Sequence, residues 1–134
     1  MKLCDETITV INSKVDRAEG KDVYIGTVIQ GVSWFCKILS TVDAGLKAAN
    51  QFTVRIPENA GFGGKAYATP LEYADAEDVS GLFTLKNGDV IVRGIVTGDN
   101  LKPSVIHKNH EAFTILGVTE NRRALAPHWK VVGT

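Results

Sequence analysis

The chain has 134 residues, 44% of them hydrophobic and 22% charged, and its fifteen basic residues balance fifteen acidic ones. That length is ordinary for one domain and sufficient to bury a core without metal or disulfides, while a net charge of zero argues against recruitment of nucleic acid through a long-range basic field. Cys4 and Cys36 form no CxxC pair and are expected as free thiols; with apolar runs of only a few residues, neither a signal peptide nor a membrane-spanning segment is expected.

In chain order, Thr7-Ile8-Thr9-Val10-Ile11 alternates polar and apolar β-branched residues, the pattern of a half-buried strand. After a polar stretch, Val23 to Ile29 and Val32 to Ile38 are predicted as two further strands parted by Gly31, with a loop at the sheet edge over Val42 to Ala49. Phe52 to Ile56 alternates strictly, and Pro57 ends that strand because proline cannot donate to the ladder. Residues Glu58 to Gly81 form a long irregular stretch holding one short helix. There Thr69 suits the N-cap, Pro70 the first helical position and Glu72 the reciprocal partner of a capping box. Leu82 to Leu85 and Val90 to Arg93 are predicted as a hairpin around Asn87-Gly88, which tolerates positive φ. A loop over Thr97 to Glu111 then precedes strands over Ala112 to Val118 and Trp129 to Val132. The sum is a mainly β chain, an antiparallel barrel or sandwich of about 7–8 short strands with one short helix in a long loop, forming a single domain over residues 1–134.

Motifs that carry chemistry are weak. Gly61-Phe62-Gly63-Gly64-Lys65 lacks the glycine and the Ser or Thr that a phosphate loop requires around its GK pair, and it is read as a plain loop. His107, His110 and His128 are the candidate metal ligands, but no cysteine has a spacing that completes a zinc set, so no metal or other cofactor is expected. Cys36 with a histidine lacks an orienting third group, and no catalytic residue is expected. Asp75, Glu77 and Asp78 lack the spacing of a calcium loop and read as a solvated surface. Trp34 and Phe35 must point to opposite faces of their strand, so one of them leaves the core unless the sheet is covered. Arg122, Arg123 and Lys130 with Trp129 make the one compact basic feature, which leaves open a small nucleic-acid- or carbohydrate-binding barrel.

Taken together, Cys4 to Thr9, Gly31 to Trp34, Tyr67 to Tyr73, Ser80 to Leu85 with Asn87-Gly88-Asp89, and Gly117 to Arg123 with His128 to Gly133 resemble a family of short phage and prophage minor structural proteins of Firmicutes. The resemblance runs over nearly the whole chain, and the C-terminal pieces are its most specific part. It implies a minor capsid or head-tail joining component, without enzymatic activity, that works in the virion after assembly in the bacterial host cytoplasm. The implied partners are other phage head and tail structural proteins and further copies of the chain, with no membrane and no direct nucleic-acid contact. Trp34, Phe62, Tyr67, Arg122, Arg123 and Trp129 are the expected interface residues, since aromatic and arginine side chains anchor many interfaces.

Overall fold

A computed structural model describes residues 6–16, 20–39, 49–97, 101–121 and 127–134. Its elements are β1 (Glu6–Asp16), β2 (Lys21–Leu39), β3 (Ala49–Pro57), β4 (Ala66–Tyr67), α1 (Pro70–Asp75), β5 (Leu82–Phe83), β6 (Val90–Arg93), α2 (Pro103–Asn109), β7 (Ala112–Asn121) and β8 (His128–Gly133). Six of the strands close into a ring in the order β1-β2-β3-β8-β7-β6, with every neighbouring pair antiparallel. The mainly β antiparallel architecture expected from the alternating pattern is the one observed.

The ring closes because β2 serves two partners. Residues up to Val32 pair with β1, and Ser33–Leu39 pair with β3. At the changeover Gly31 takes a φ of 85°, a left-handed value glycine adopts without penalty, and the β1-β2 register slips between Glu6 and Thr7. The two strands predicted over 23–29 and 32–38 are therefore one bent strand, and the glycine that looks like a break is the bend. Most of the loop expected over Val42 to Ala49 lies outside the described residues, while Ala49 itself opens β3.

Inward-facing positions build the main core. Ile8 and Val10 of β1, Ile29 and Val32 of β2, Val54 and Ile56 of β3, Phe113 and Ile115 of β7, and Trp129 and Val131 of β8 all pack inside the ring. The segment from Ala60 to Leu85 folds into this interior, with Phe83 and Leu85 buried and Phe62 and Tyr67 packed against them. An antiparallel bridge between Gln30 and Gly61 ties its start to β2, and a parallel pair between β4 and β5 closes it.

Here the expected hairpin over 82–93 is corrected. The Asn87-Gly88 turn exists, with Gly88 at φ 93°, but β5 pairs with β4 while β6 pairs with β1 and β7. Phe83 and Leu85 are drawn into the core, whereas Ile91 completes the ring wall, so the two arms part.

Helix α1 has the cap read from the sequence: the Glu72 amide donates to Thr69 Oγ1 at 3.2 Å and the Thr69 amide donates to the Glu72 carboxylate at 3.1 Å. Helix α2 stands where a plain loop was expected. Pro103 begins it, and a proline at the first helical turn forfeits an amide that has no helical partner anyway.

Candidate functional site

The two outer faces of the ring differ in what covers them. Since side chains alternate along a strand, Ile11 of β1 and Val90 and Val92 of β6 point outward from neighbours that point in. All three are buried, under Leu101 and Ile106 of the α2 region, with Tyr24, Val96 and Ala112 at the margin. A hydrogen-bonding contact of 3.2 Å between the His107 imidazole and Thr114 Oγ1 helps seat the helix.

On the opposite side, formed by the second half of β2 with β3, β8 and β7, the register places Phe35, Thr53, Val132 and Gly117 in one row. Phe35 is 56% exposed; Leu116, in the bulge where β7 slips against β8, is 58% exposed. The next row carries Ser33, Arg55, Lys130 and Thr119. This face is thus an apolar row beside a basic one, and among the described residues no helix lies over it and neither Arg55 nor Lys130 is ion-paired.

The expected interface aromatics lie mostly elsewhere. Trp34 turns inward, edge-on to Phe52 and Phe113 at 5.5 and 5.4 Å, while its neighbour Phe35 takes the outer face. The Arg93 guanidinium, paired with Glu6 at 2.9 Å and Glu111 at 3.4 Å, lies over the Trp34 ring. Trp129 is only 3% exposed and packs with Phe62 and Tyr67. The Trp129 side chain, expected as a contact position, is thus packed into the core of its own chain. Phe62 and Tyr67 are half-buried in that cluster, and the Tyr67 hydroxyl donates to Glu120 at 3.2 Å. Arg122 and Arg123 lie outside the described residues. Sequence reading missed Arg55, Leu116 and Val132; strict alternation through Phe52-Thr53-Val54-Arg55-Ile56 does mark Arg55 as outward, but nothing local announces the bulge that turns out Leu116.

A second feature is polar. The Asp89 carboxylate is buried and accepts hydrogen bonds from Asn12 Nδ2 at 2.9 Å, from the Ser13 amide at 3.2 Å and from the Ser13 hydroxyl at 3.0 Å, with Lys86 Nζ at 3.7 Å. Burial nevertheless pushes its pKa up, outweighing the bonds that favour the anion. Asn12 also donates to the Thr84 carbonyl and accepts from the Thr84 amide, so this cluster locks β1 to the chain between β5 and β6.

Beside it lies a cavity of about 250 Å³ lined by Ser13, Lys14, Val15, Asp22, Pro70, Tyr73, Ala74 and Lys86. Its cations are already engaged: Lys14 donates to the Tyr73 and Ala74 carbonyls at 3.1 and 2.9 Å, and Lys86 donates to the Ser13 hydroxyl. The Tyr73 phenol, buried and near the Asp89 charge, is pushed up to about 12 and stays protonated, which leaves it no role as a base at neutral pH. The cluster is built to hold the fold together.

Other sequence features resolve similarly. Lys65 donates to the Gly26 carbonyl at 3.2 Å and to Thr27 Oγ1 at 3.0 Å, so the lysine of the glycine run is turned onto β2. His107 lies in α2, His110 caps its C-terminus and His128 is on β8, with its imidazole near the Asn121 amide. Among the described residues no group of three or more His, Cys, Asp or Glu side chains is placed to hold a metal ion. Cys36 is exposed on β2. No helix among the described residues is long and apolar enough to cross a membrane.

No curated protein and no solved structure matches the chain. A family model does, over residues 3–134: that of a family of unknown function, DUF6751. With the match running across nearly its whole length, the chain belongs to the DUF6751 family.

Proposed function

We propose that the chain is a non-enzymatic structural subunit of a bacteriophage or prophage particle, a minor capsid or head-tail joining component that works through repeated protein contacts. The observation that carries this reading is the outer face around Phe35, Leu116 and Val132, over which no described segment lies, whereas the α2 region covers Ile11, Val90 and Val92 on the other side. Apolar side chains gathered on a bare sheet face mark sites of protein contact. The resemblance of the sequence to phage minor structural proteins supplies the kind of particle. Its partners are then other head and tail proteins and further copies of itself, in the virion.

Mass spectrometry of purified particles, induced from the strain that carries the sequence, tests the proposal. The chain is expected at a fixed copy number per particle; its absence from otherwise complete particles overturns the reading.

A second reading, a nucleic-acid-binding module, draws on one observation: Phe35 shares its face with Arg55 and Lys130, as in surfaces that stack bases and pair phosphates. Trp129, the stacking residue suggested by the sequence, is buried, which leaves Phe35 as the platform. Salt-sensitive retention on single-stranded oligonucleotide, lost in Phe35→Ala, would favour it.

A further inference from the structure

Opposite charge and apolar surface occur together at two separate places on this molecule. The uncovered face presents Phe35 and Leu116 beside Arg55 and Lys130, with the second half of β2 and β3, β8 and β7 beneath. The segment from Ala66 to Leu85 carries four carboxylates, Glu72, Asp75, Glu77 and Asp78, and no Lys, Arg or His. All four are exposed, and Leu71 beside them is 74% exposed, the highest value among the large apolar side chains described. Hydrogen bonds from Thr69 and Ser80 hold the Glu72 and Asp78 carboxyls below their usual pKa, so both are ionised at neutral pH. Among the described residues none of the four carboxylates is ion-paired.

The two surfaces belong to different parts of the fold. Helix α1 is tethered through Lys14 to β1, next to Ser13 and Asp22 at the β1-β2 end, whereas the apolar-basic face lies on the half of the ring that β1 does not reach. A patch and its complement at different places on one chain pair between copies head to tail, and such heterologous contacts propagate into closed rings or open filaments.

We infer that the uncovered face takes the Leu71–Asp78 surface of a second copy of this chain, Leu71 seating against Phe35 and Leu116 while the carboxylates meet Arg55 and Lys130. This inference rests on the proposed role as an assembly subunit and names one partner of that face.

Sedimentation velocity on the full chain and two charge-reversed forms provides the test. One carries Arg55→Glu with Lys130→Glu; the other carries Glu72→Lys, Asp75→Lys and Asp78→Lys. Glu72→Lys also removes half of the capping box, so a form with only Asp75→Lys and Asp78→Lys is run beside it, and circular dichroism establishes that each form folds. The wild-type chain should form oligomers that dissociate as salt is raised. Each reversed form alone should lose that association, and mixing the two should restore it with the two kinds of chain alternating, because every reversed surface then meets an oppositely charged one.

A wild-type chain that stays monomeric up to its solubility limit overturns the inference. So does a carboxylate-reversed form that still associates as the wild type does, because the face would then pair with itself. Particle composition stays a separate test: a monomeric chain found in particles sinks the head-to-tail contact and leaves the structural role standing, whereas an associating chain absent from particles does the opposite.

Discussion

On one outer face of the ring, Ile11, Val90 and Val92 lie beneath Leu101 and Ile106; on the other, Phe35 and Leu116 stand in solvent. Both faces are built from strands whose outward positions include large apolar side chains. The difference is that residues after β6 fold back as α2 over the first face, and no described segment returns over the second. Covering an apolar side chain is worth about 1.5–3 kcal/mol, so the first face contributes to the stability of the isolated chain and the second can do so only when something else covers it. The same residue types are thus buried by the chain itself at one face and left exposed at the other.

The largest effect should come from opening the covered face. Ile106→Ala removes the helix side chain that seals Ile11 and Val92, and it should cost about 2–5 kcal/mol in urea denaturation. A cost near zero would mean that the α2 region does not seal Ile11 and Val92.

The glycines sharpen the contrast. A Cβ on Gly26 would lie 3.4 Å from Leu101 Cδ1 and 3.5 Å from Thr9 Cγ2, under the lid, whereas one on Gly117 would meet only Val132 Cγ2 at 3.4 Å on the bare face. Gly26→Val should therefore destabilise by about 1–3 kcal/mol through overpacking. Gly117→Val should stay within about 0.5 kcal/mol of the wild type, measured by thermal melts of the two variants side by side.

Smaller still is the expected change when Phe35 and Leu116 are both replaced by serine. Their exposure in the single chain leaves stability within about 0.5 kcal/mol of the wild type, while any association through the face should be lost. A drop in monomer stability comparable to that of Ile106→Ala would place these side chains in the core after all.

Away from both faces, Asp89 gives a directional pH test. Its pKa is raised on folding, so the native state holds the proton more tightly than the unfolded chain does. The penalty of burying its charge is full above the folded-state pKa and is relieved as pH falls through that value toward 3.8. Relative to Asp89→Asn, the wild type should therefore gain stability on acidification across that window, by equilibrium unfolding at stepped pH; a gain on alkalinisation would contradict the stated cause.

What the sequence discloses divides along the same line. Local rules sufficed for the Thr69 capping box, for the strands around Ile8 and Val54, and for the opposed directions of Trp34 and Phe35, because each depends on neighbours within a few residues. Nonlocal choices did not show. Gly31 bends β2 rather than ending it because β1 and β3 both wait to pair with it, and Phe83 leaves its expected hairpin because the ring interior takes it. Trp129 looks like an interface anchor until Phe62 and Tyr67 arrive from a distant segment to bury it. Leu116 is legible only once the register slip between β7 and β8 is known.

The most direct measurement is incorporation into particles of tagged wild-type chain against tagged chain carrying Phe35→Ser and Leu116→Ser, both shown to fold alike. If the bare face is the assembly surface, purified particles should contain the wild-type chain and exclude the double variant. Equal copy numbers of the two in complete particles would contradict that assignment and leave the exposed row without a role in assembly.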